Sequence, residues 1–173
     1  ETEDLKTDKE AIYLPPFYYA EIGTANRLLG LLQESENNLF TKACDIESLS
    51  KEIGIKYDEV QVQAIRQSVQ SKVMVLTGGP GTGKTTIIKA ICELYKEINK
   101  LSYEKLTEQI ALLAPTGRAS KRISESTNLP ACTIHRFLKW NKENNKFAIN
   151  EYHKSDVSFV IVDEFFDGCR NNT

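Results

Sequence analysis

The feature that most constrains the fold is a glycine-rich segment at residues 78–85, which matches G-x-x-x-x-G-K-[ST] at every position. An apolar run at 73–76 precedes it, and helical periodicity follows it. This order predicts a phosphate-binding loop, because backbone N–H groups and the positive end of the helix dipole both attract phosphate oxygens. The residues predicted to bind the nucleotide are Gly78, Gly79, Pro80, Gly81, Thr82, Gly83, Lys84, Thr85 and Thr86.

Four side chains have a predicted role in the chemistry. Lys84 is expected to contact the β- and γ-phosphates of ATP, and the Thr85 hydroxyl to ligate Mg²⁺. Asp163 and Glu164 directly follow the apolar run at 159–162, which is the setting of a Walker B pair. Asp163 is expected to hold the metal ion through water, and Glu164 to orient and deprotonate the attacking water. The predicted catalytic residues are Lys84, Asp163 and Glu164, with ATP and Mg²⁺ as cofactors.

The apolar segments predict a parallel β-sheet. The runs at 73–76, 110–114 and 159–162 are short and rich in Val, Ile and Leu, as expected for strands that are covered on both faces. Helices are predicted between them at 84–99, at 116–126 and from about Thr133. Together with the phosphate-binding loop, this alternation indicates an α/β fold of the P-loop NTPase class with a doubly wound parallel sheet.

A small helical region at 1–56 is predicted in front of the ATP-binding domain at 57–173. Pro15 and Pro16 are expected to end an extended lead-in. The first predicted helix follows them, with an apolar stripe of Ile22, Ala25, Leu29 and Leu32. Two further helices are predicted, one from the N-cap Asp45 to the stop at Gly54 and one from Asp58.

Charge is segregated along the chain. Residues 1–60 hold 6 Lys/Arg and 13 Asp/Glu, whereas residues 117–154 hold 8 basic and 3 acidic residues. The basic stretch favours a polyanion-binding face about as strongly as a mildly basic solvated surface. The four cysteines form no CxxC pair and indicate reduced thiols of a cytoplasmic protein rather than a zinc site. No apolar run is long enough to span a bilayer, so no membrane partner is expected.

Gln61 has two possible roles. It lies seventeen residues before Gly78, and its amide can pair with both the donor and the acceptor on an adenine edge. The spacing Asp58-x-x-Gln61 also fits a helix capping box, and a capping role alone would explain the glutamine. The spacing does not decide between adenine recognition and capping.

Two strand-to-helix turns carry candidate contacts to a nucleic acid. In each, a hydroxyl and the N–H groups of a helix start lie beside cationic side chains, which suits a phosphate of the backbone. An ordinary turn with a solvated basic face is the alternative. The candidate DNA contacts are Thr116, Gly117, Arg118, Thr133, His135 and Arg136.

These motifs carry a resemblance to a known family. The sequence LTGGPGTGKTT at 76–86 resembles the RecD-like branch of the superfamily 1 DNA helicases, which includes the exodeoxyribonuclease V alpha subunit. The sequences APTGRA at 114–119, TIHR at 133–136 and VIVDE at 160–164 resemble the next motifs of that family, in the same order. The similarity is good over 57–164 and less specific over 11–56.

The resemblance implies the first RecA-like motor domain of a bacterial helicase that uses ATP to move 5′ to 3′ along single-stranded DNA. It assigns Gln61 to adenine, and it makes the two turns DNA contacts. It implies single-stranded DNA, a second RecA-like domain with an arginine finger, and other subunits of DNA repair or recombination as partners. Trp140 is able to stack on a base, although a core or interface position is the stronger expectation.

The sequence departs from the family after Glu164. The family continues with small residues such as Ala-Ser-Met, whereas this chain continues with Phe165 and Phe166 and runs to Thr173. We therefore expect a P-loop NTPase of RecA-like type with an incomplete parallel sheet, without the second domain and its arginine finger. Such a chain is expected to hydrolyse little ATP alone, to be unable to unwind DNA and to self-associate through an unpaired sheet edge. An expressed fragment and a disrupted reading frame both explain such a tail.

Two alternatives to a helicase motor stay open. A non-motor P-loop ATPase of the AAA+ type would need a sensor arginine and a helical lid beyond the third strand. An inactive ATP- or DNA-binding module would bind nucleotide without hydrolysing it, even when joined to a second domain.

Overall fold

A computed structural model describes residues 14–33, 46–79 and 81–163 of the chain. These residues form seven helices and five strands. The helices are α1 (Pro15–Gln33), α2 (Ile46–Ile53), α3 (Glu59–Gln70), α4 (Lys84–Asn99), α5 (Tyr103–Gln109), α6 (Gly117–Thr127) and α7 (Ile134–Phe137). The strands are β1 (Ile110–Ala114), β2 (Ala131–Thr133), β3 (Trp140–Asn141), β4 (Lys146–Phe147) and β5 (Phe159–Val162).

The main sheet is parallel and has the strand order β2-β1-β5. In its register Leu113 lies opposite Cys132 on one side and Val162 on the other. Helices connect the strands, because parallel neighbours need a crossover between them. The carboxyl ends of all three strands therefore lie at one edge of the sheet. This arrangement confirms the predicted α/β fold of a P-loop NTPase.

Helix α4 lies between two parts of the hydrophobic core. Its residues Ile87 and Ile91 pack with α2 and α3, in a cluster that includes Ile46 and Ile65. Its residues Ile88, Cys92 and Tyr95 pack instead with β1, α5 and α6. Because α4 begins directly after the glycine-rich loop, burial on two faces fixes the base of that loop against the rest of the domain.

Strand β1 is buried at all five positions, as its apolar sequence predicts. The predicted helices at 84–99 and 116–126 and the predicted strand at 159–162 are also present. Four elements were not predicted. They are helix α5, strand β2, and strands β3 and β4, which form an antiparallel hairpin.

The predicted strand at 73–76 is wrong. The segment has no regular secondary structure and pairs with none of the described strands. Its Leu76 packs against the first core cluster, but Val75 is 64% exposed. A strand exists only where a neighbouring backbone completes its hydrogen bonds, and an apolar composition alone does not supply that neighbour.

Helix α1 is present, but the two prolines belong to it. The helix begins at Pro15, where the missing proline N–H costs no helical hydrogen bond. None of its residues is buried, so the predicted stripe does not face a core. Arg27 forms an ion pair with Glu151 at 2.6 Å, in which both side chains are largely exposed.

Helix α2 ends as predicted at Gly54, whose φ of 73° suits a residue without Cβ. Its predicted N-cap, Asp45, lies outside the described residues. The domain boundary between 56 and 57 stays a prediction. Among the described helices, none combines the length and the apolar character needed to cross a membrane.

Candidate nucleotide-binding site and neighbouring turns

The phosphate loop enters α4 through two glycines in the left-handed region. Gly81 and Gly83 both have φ of 80°, a conformation that costs a residue with a side chain roughly 1–2 kcal/mol. Gly83 is the N-cap residue of α4, and no side chain caps the helix there. The first N–H groups of α4 are therefore left to an external acceptor, which is the arrangement that anion-binding helix starts use.

The Lys84 side chain folds back over the loop. Its Nζ donates hydrogen bonds to the carbonyl oxygens of Gly78 at 2.7 Å and Gly79 at 2.8 Å. The Thr82 hydroxyl donates to the same Gly79 carbonyl at 2.9 Å. A Cβ on Gly78 would lie 2.7 Å from the Thr82 hydroxyl oxygen, so the loop is tightly closed at this point. A bound phosphate has to compete with two carbonyl oxygens for the ammonium group.

Two further residues of the predicted site follow Lys84. Thr85 and Thr86 are half-buried in the first turn of α4. Pro80 and Glu164 lie outside the described residues, so their roles stay predictions. Asp163 directly follows β5, and its N–H donates to the Leu113 carbonyl at 2.9 Å. That bond continues the pairing of β5 with β1 and places Asp163 at the carboxyl edge of the sheet.

Gln61 caps helix α3. Its side-chain Oε1 accepts from the N–H of Asp58 at 3.1 Å, and its own N–H donates to the Asp58 carboxylate at 2.8 Å. This is a complete capping box, so one of the two alternatives left open by the spacing is confirmed. The Nε2 atom also donates to the Thr82 carbonyl at 3.4 Å, which is longer than an ordinary N–H···O hydrogen bond and makes this a weak one. The glutamine therefore contacts the phosphate loop itself.

The two candidate DNA turns follow the carboxyl ends of the adjacent strands β1 and β2. Thr133 lies opposite Ala114 in the sheet, and Thr116 follows Ala114 by two residues. Each threonine is a helix N-cap: the Thr116 hydroxyl accepts from the Ala119 N–H, and the Thr133 hydroxyl from the Arg136 N–H, both at 3.2 Å. Both hydroxyls thus have a structural role. The turns share the carboxyl edge of the sheet with Asp163.

The eight basic side chains of 117–154 are all exposed. They are Arg118, Lys121, Arg122, Arg136, Lys139, Lys142, Lys146 and Lys154. Gly117 is exposed as well, and Lys121 forms an i,i+4 pair with Glu125 at 3.8 Å. Exposed cations of this kind fit both a solvated face and a polyanion-binding face, and a pair this exposed contributes little to stability.

His135 belongs to an aromatic group on the surface. Its ring centroid lies 6.4 Å from that of Trp140 and 5.9 Å from that of Phe147, and the latter two are 4.6 Å apart. Trp140 is 37% exposed and belongs to neither core cluster. The hairpin formed by β3 and β4 brings Trp140 and Phe147 together. The sequence does not reveal Phe147 as a neighbour of Trp140, because only the register of the hairpin brings the two residues together.

Burial disfavours the thiolate form of both described cysteines. Burial, with a smaller contribution from the Glu93 charge, raises the pKa of the Cys92 thiol to about 12. Burial also raises the pKa of Cys132, while the Arg136 charge opposes that shift. Both are free thiols, and no group of three or more metal-binding side chains occurs within the described ranges. Cys44 and Cys169 lie outside those ranges.

A parallel sheet, a glycine-rich loop and an uncapped helix start together define a P-loop NTPase. A family model described as an AAA domain matches residues 61–168. The chain belongs to this AAA domain family, and its similarity to RecD proteins confirms the resemblance to RecD-like helicases.

Three curated relatives carry that similarity. The chain is 32% identical over 162 residues to the ATP-dependent RecD2 DNA helicase of Deinococcus radiodurans. This match covers 94% of this chain and 21% of the relative. It is 30% identical over 173 residues to the RecBCD enzyme subunit RecD of Mycobacterium tuberculosis, with 91% and 28% covered. The corresponding subunit of Buchnera aphidicola is 31% identical over 179 residues, with 90% and 28% covered. The chain thus spans between 21% and 28% of the length of these relatives.

Proposed function

We propose that this chain is the ATP- and Mg²⁺-binding part of a DNA helicase motor, which couples ATP hydrolysis to 5′-to-3′ movement along single-stranded DNA. The observation that carries the proposal is the start of α4. There, two left-handed glycines and the Lys84 ammonium group surround a helix end that no side chain caps. A polyphosphate chain is the ligand that such a loop fits best.

In this proposal the nucleotide is held at its phosphates. Lys84 would exchange the Gly78 and Gly79 carbonyls for the β- and γ-phosphates, and the Thr85 hydroxyl would ligate Mg²⁺. Bound Mg²⁺ would neutralise charge on the phosphate oxygens. Asp163 would hold the metal ion through water, and Glu164 would orient the attacking water and accept its proton.

The DNA strand lies along the two turns at the carboxyl edge of the sheet. Thr116, Gly117 and Arg118 form one contact, and the turn of Thr133, His135 and Arg136 forms the other. Support comes from the adjacency of β1 and β2 and from the exposed basic side chains of 117–154. Contacts of this type bind the backbone, so we expect binding that tolerates any sequence and weakens with salt.

Residues 1–173 alone hydrolyse ATP slowly in this proposal. The chain spans at most 28% of the three relatives described above. The resemblance implies that ATP lies between two RecA-like domains and that the second supplies an arginine finger. An arginine of this kind contributes about 10³ to 10⁵ in rate in analogous phosphoryl transfer.

Linkage between the two ligands tests the proposal. Affinity for a labelled single-stranded oligonucleotide is measured by fluorescence anisotropy, with and without a non-hydrolysable ATP analogue and Mg²⁺. A motor requires that nucleotide binding changes the affinity for DNA, by about fivefold or more. Nucleotide binding with no change in DNA affinity would favour the inactive module, and no DNA binding would favour a non-motor ATPase.

A further inference from the structure

The Gln61 side chain joins two elements through opposite ends of its amide. Its Oε1 accepts from the Asp58 N–H at the start of α3, and its Nε2 donates to the Thr82 carbonyl in the phosphate loop. Thr82 lies twenty-one residues further along the chain. The amide is therefore already oriented by the protein, with one end on each element.

A second observation places the same amide against the loop backbone. A Cβ built on Gly83 would lie 2.8 Å from Gln61 Nε2, a distance that real Cβ atoms essentially never show. Gly83 is the residue directly before α4, and its φ is 80°. The glutamine thus packs on the turn that aims Lys84 and the first N–H groups of α4.

Helix α3 gives this contact a rigid base. Ile65, one turn after Gln61, is 0% exposed, and it shares a core cluster with Ile87 and Ile91 of α4. The backbone N–H of Asp58 holds the Oε1 end of the Gln61 amide. Side chains whose own position is locked by packing and by hydrogen bonds are the ones that hold a site in productive geometry.

We propose that Gln61 is a positioning residue of the phosphate loop, which holds the Thr82–Gly83 turn so that the start of α4 faces the phosphates. The inference rests on the proposed function, because it concerns the same nucleotide site. It differs from the adenine assignment that the family resemblance implies. A residue that reads adenine affects only ligands carrying that base, whereas a residue that positions the loop affects every polyphosphate ligand equally.

The test compares three ligands in the full 173-residue chain. Affinities for ATP, GTP and inorganic tripolyphosphate, each with Mg²⁺, are measured by titration calorimetry for the wild type and for Gln61→Met. Loss of one hydrogen bond to the loop is expected to weaken all three by a similar factor, about two- to tenfold. A loss confined to ATP would overturn the inference and support adenine recognition, and no loss for any ligand would also overturn it.

Asp58→Ala is the matched control. It removes the carboxylate of the capping box but leaves the Gln61 amide able to donate to Thr82. We expect it to lower thermal stability about as much as Gln61→Met while leaving the three affinities within about twofold. Equal affinity losses in both variants would show that capping alone explains the effect, and would overturn the inference.

The measurements distinguish failure of the proposed function from failure of the inference about Gln61. If the wild type binds none of the three ligands, the proposed function fails and the inference fails with it. If the wild type binds ATP but Gln61→Met changes only the ATP affinity, the inference alone fails. Should Gln61→Met not fold, Gln61→Asn replaces it, because asparagine keeps the amide but is too short to reach both elements.

Discussion

The Nζ atom of Lys84 lies 2.7 Å from the carbonyl oxygen of Gly78 and donates a hydrogen bond to it. A second bond runs to the Gly79 carbonyl at 2.8 Å. The closed geometry of the loop is thus held by the same ammonium group that is proposed to bind phosphate. In the proposed complex, two neutral acceptors would be exchanged for anionic phosphate oxygens, which adds a direct attraction between opposite charges to each hydrogen bond.

Replacing Gly83 by alanine is expected to damage the phosphate loop. The new Cβ would meet Gln61 Nε2 at 2.8 Å, and the φ of 80° costs an alanine about 1–2 kcal/mol. We predict a lower melting temperature and at least about tenfold weaker ATP binding. Gly117→Ala is the control, because a Cβ there meets nothing within 4 Å. Equal behaviour of the two variants in thermal melting and ATP titration would contradict the prediction.

Thr116→Ala is expected to destabilise the domain by about 1 kcal/mol, because the Thr116 hydroxyl accepts the Ala119 N–H at the start of α6. Thr116→Ser keeps the hydroxyl and should retain most of the stability. The free energy of unfolding is obtained from urea denaturation of both variants. A loss in Thr116→Ser as large as that in Thr116→Ala would show that the threonine methyl group, rather than the cap, stabilises the turn.

Removing two cations from the candidate DNA turns is expected to weaken DNA binding at every sequence. For Arg118→Ala combined with Arg136→Ala, the slope of log affinity against log salt should fall by about 0.7 for each lost phosphate contact. Fluorescence anisotropy with single-stranded oligonucleotides measures both quantities. Lys51→Ala combined with Lys105→Ala changes the net charge equally, away from the two turns. If this control variant weakened binding as much, a general charge effect would be the explanation.

The outer strand β5 is expected to promote self-association. Val160 is 49% exposed and Val162 is 38% exposed, and β5 is an edge strand of the described sheet. Unpaired strand edges with exposed apolar side chains pair readily with other chains. Sedimentation velocity should reveal larger species as concentration rises, and fewer of them for Val160→Thr combined with Val162→Thr. A wild type that stays monomeric at all concentrations would contradict the prediction of self-association.

The sequence predicts local features of the site better than it predicts which β-strands pair with one another. The glycine-rich loop and the buried strand β1 are predictable because the residues that determine each of them are contiguous in the chain. The strand expected at 73–76 was wrong because strand formation depends on a neighbour that is distant in sequence. Strands β3 and β4 are only two residues long, and each combines one aromatic with one polar residue, so neither composition nor periodicity marks them.

Gln61 illustrates a different limit of sequence analysis. Its spacing from Asp58 fits a capping box, and its spacing from Gly78 fits adenine recognition, so the sequence left both open. The contact with Thr82 joins residues twenty-one positions apart, and it depends on how α3 packs against α4. The contact between Gln61 and Thr82 can therefore be recognised only from the tertiary structure.

The central claim is that Lys84 and the glycine-rich loop bind ATP with Mg²⁺. Titration calorimetry of ATP with Mg²⁺ into the 173-residue chain tests it most directly, with Lys84→Ala as the variant and Lys105→Ala as the control. The account predicts saturable one-to-one binding by the wild type and the control, and affinity at least about tenfold lower for Lys84→Ala, equivalent to about 1.4 kcal/mol. No binding by the wild type, or equal affinity in Lys84→Ala, would contradict it.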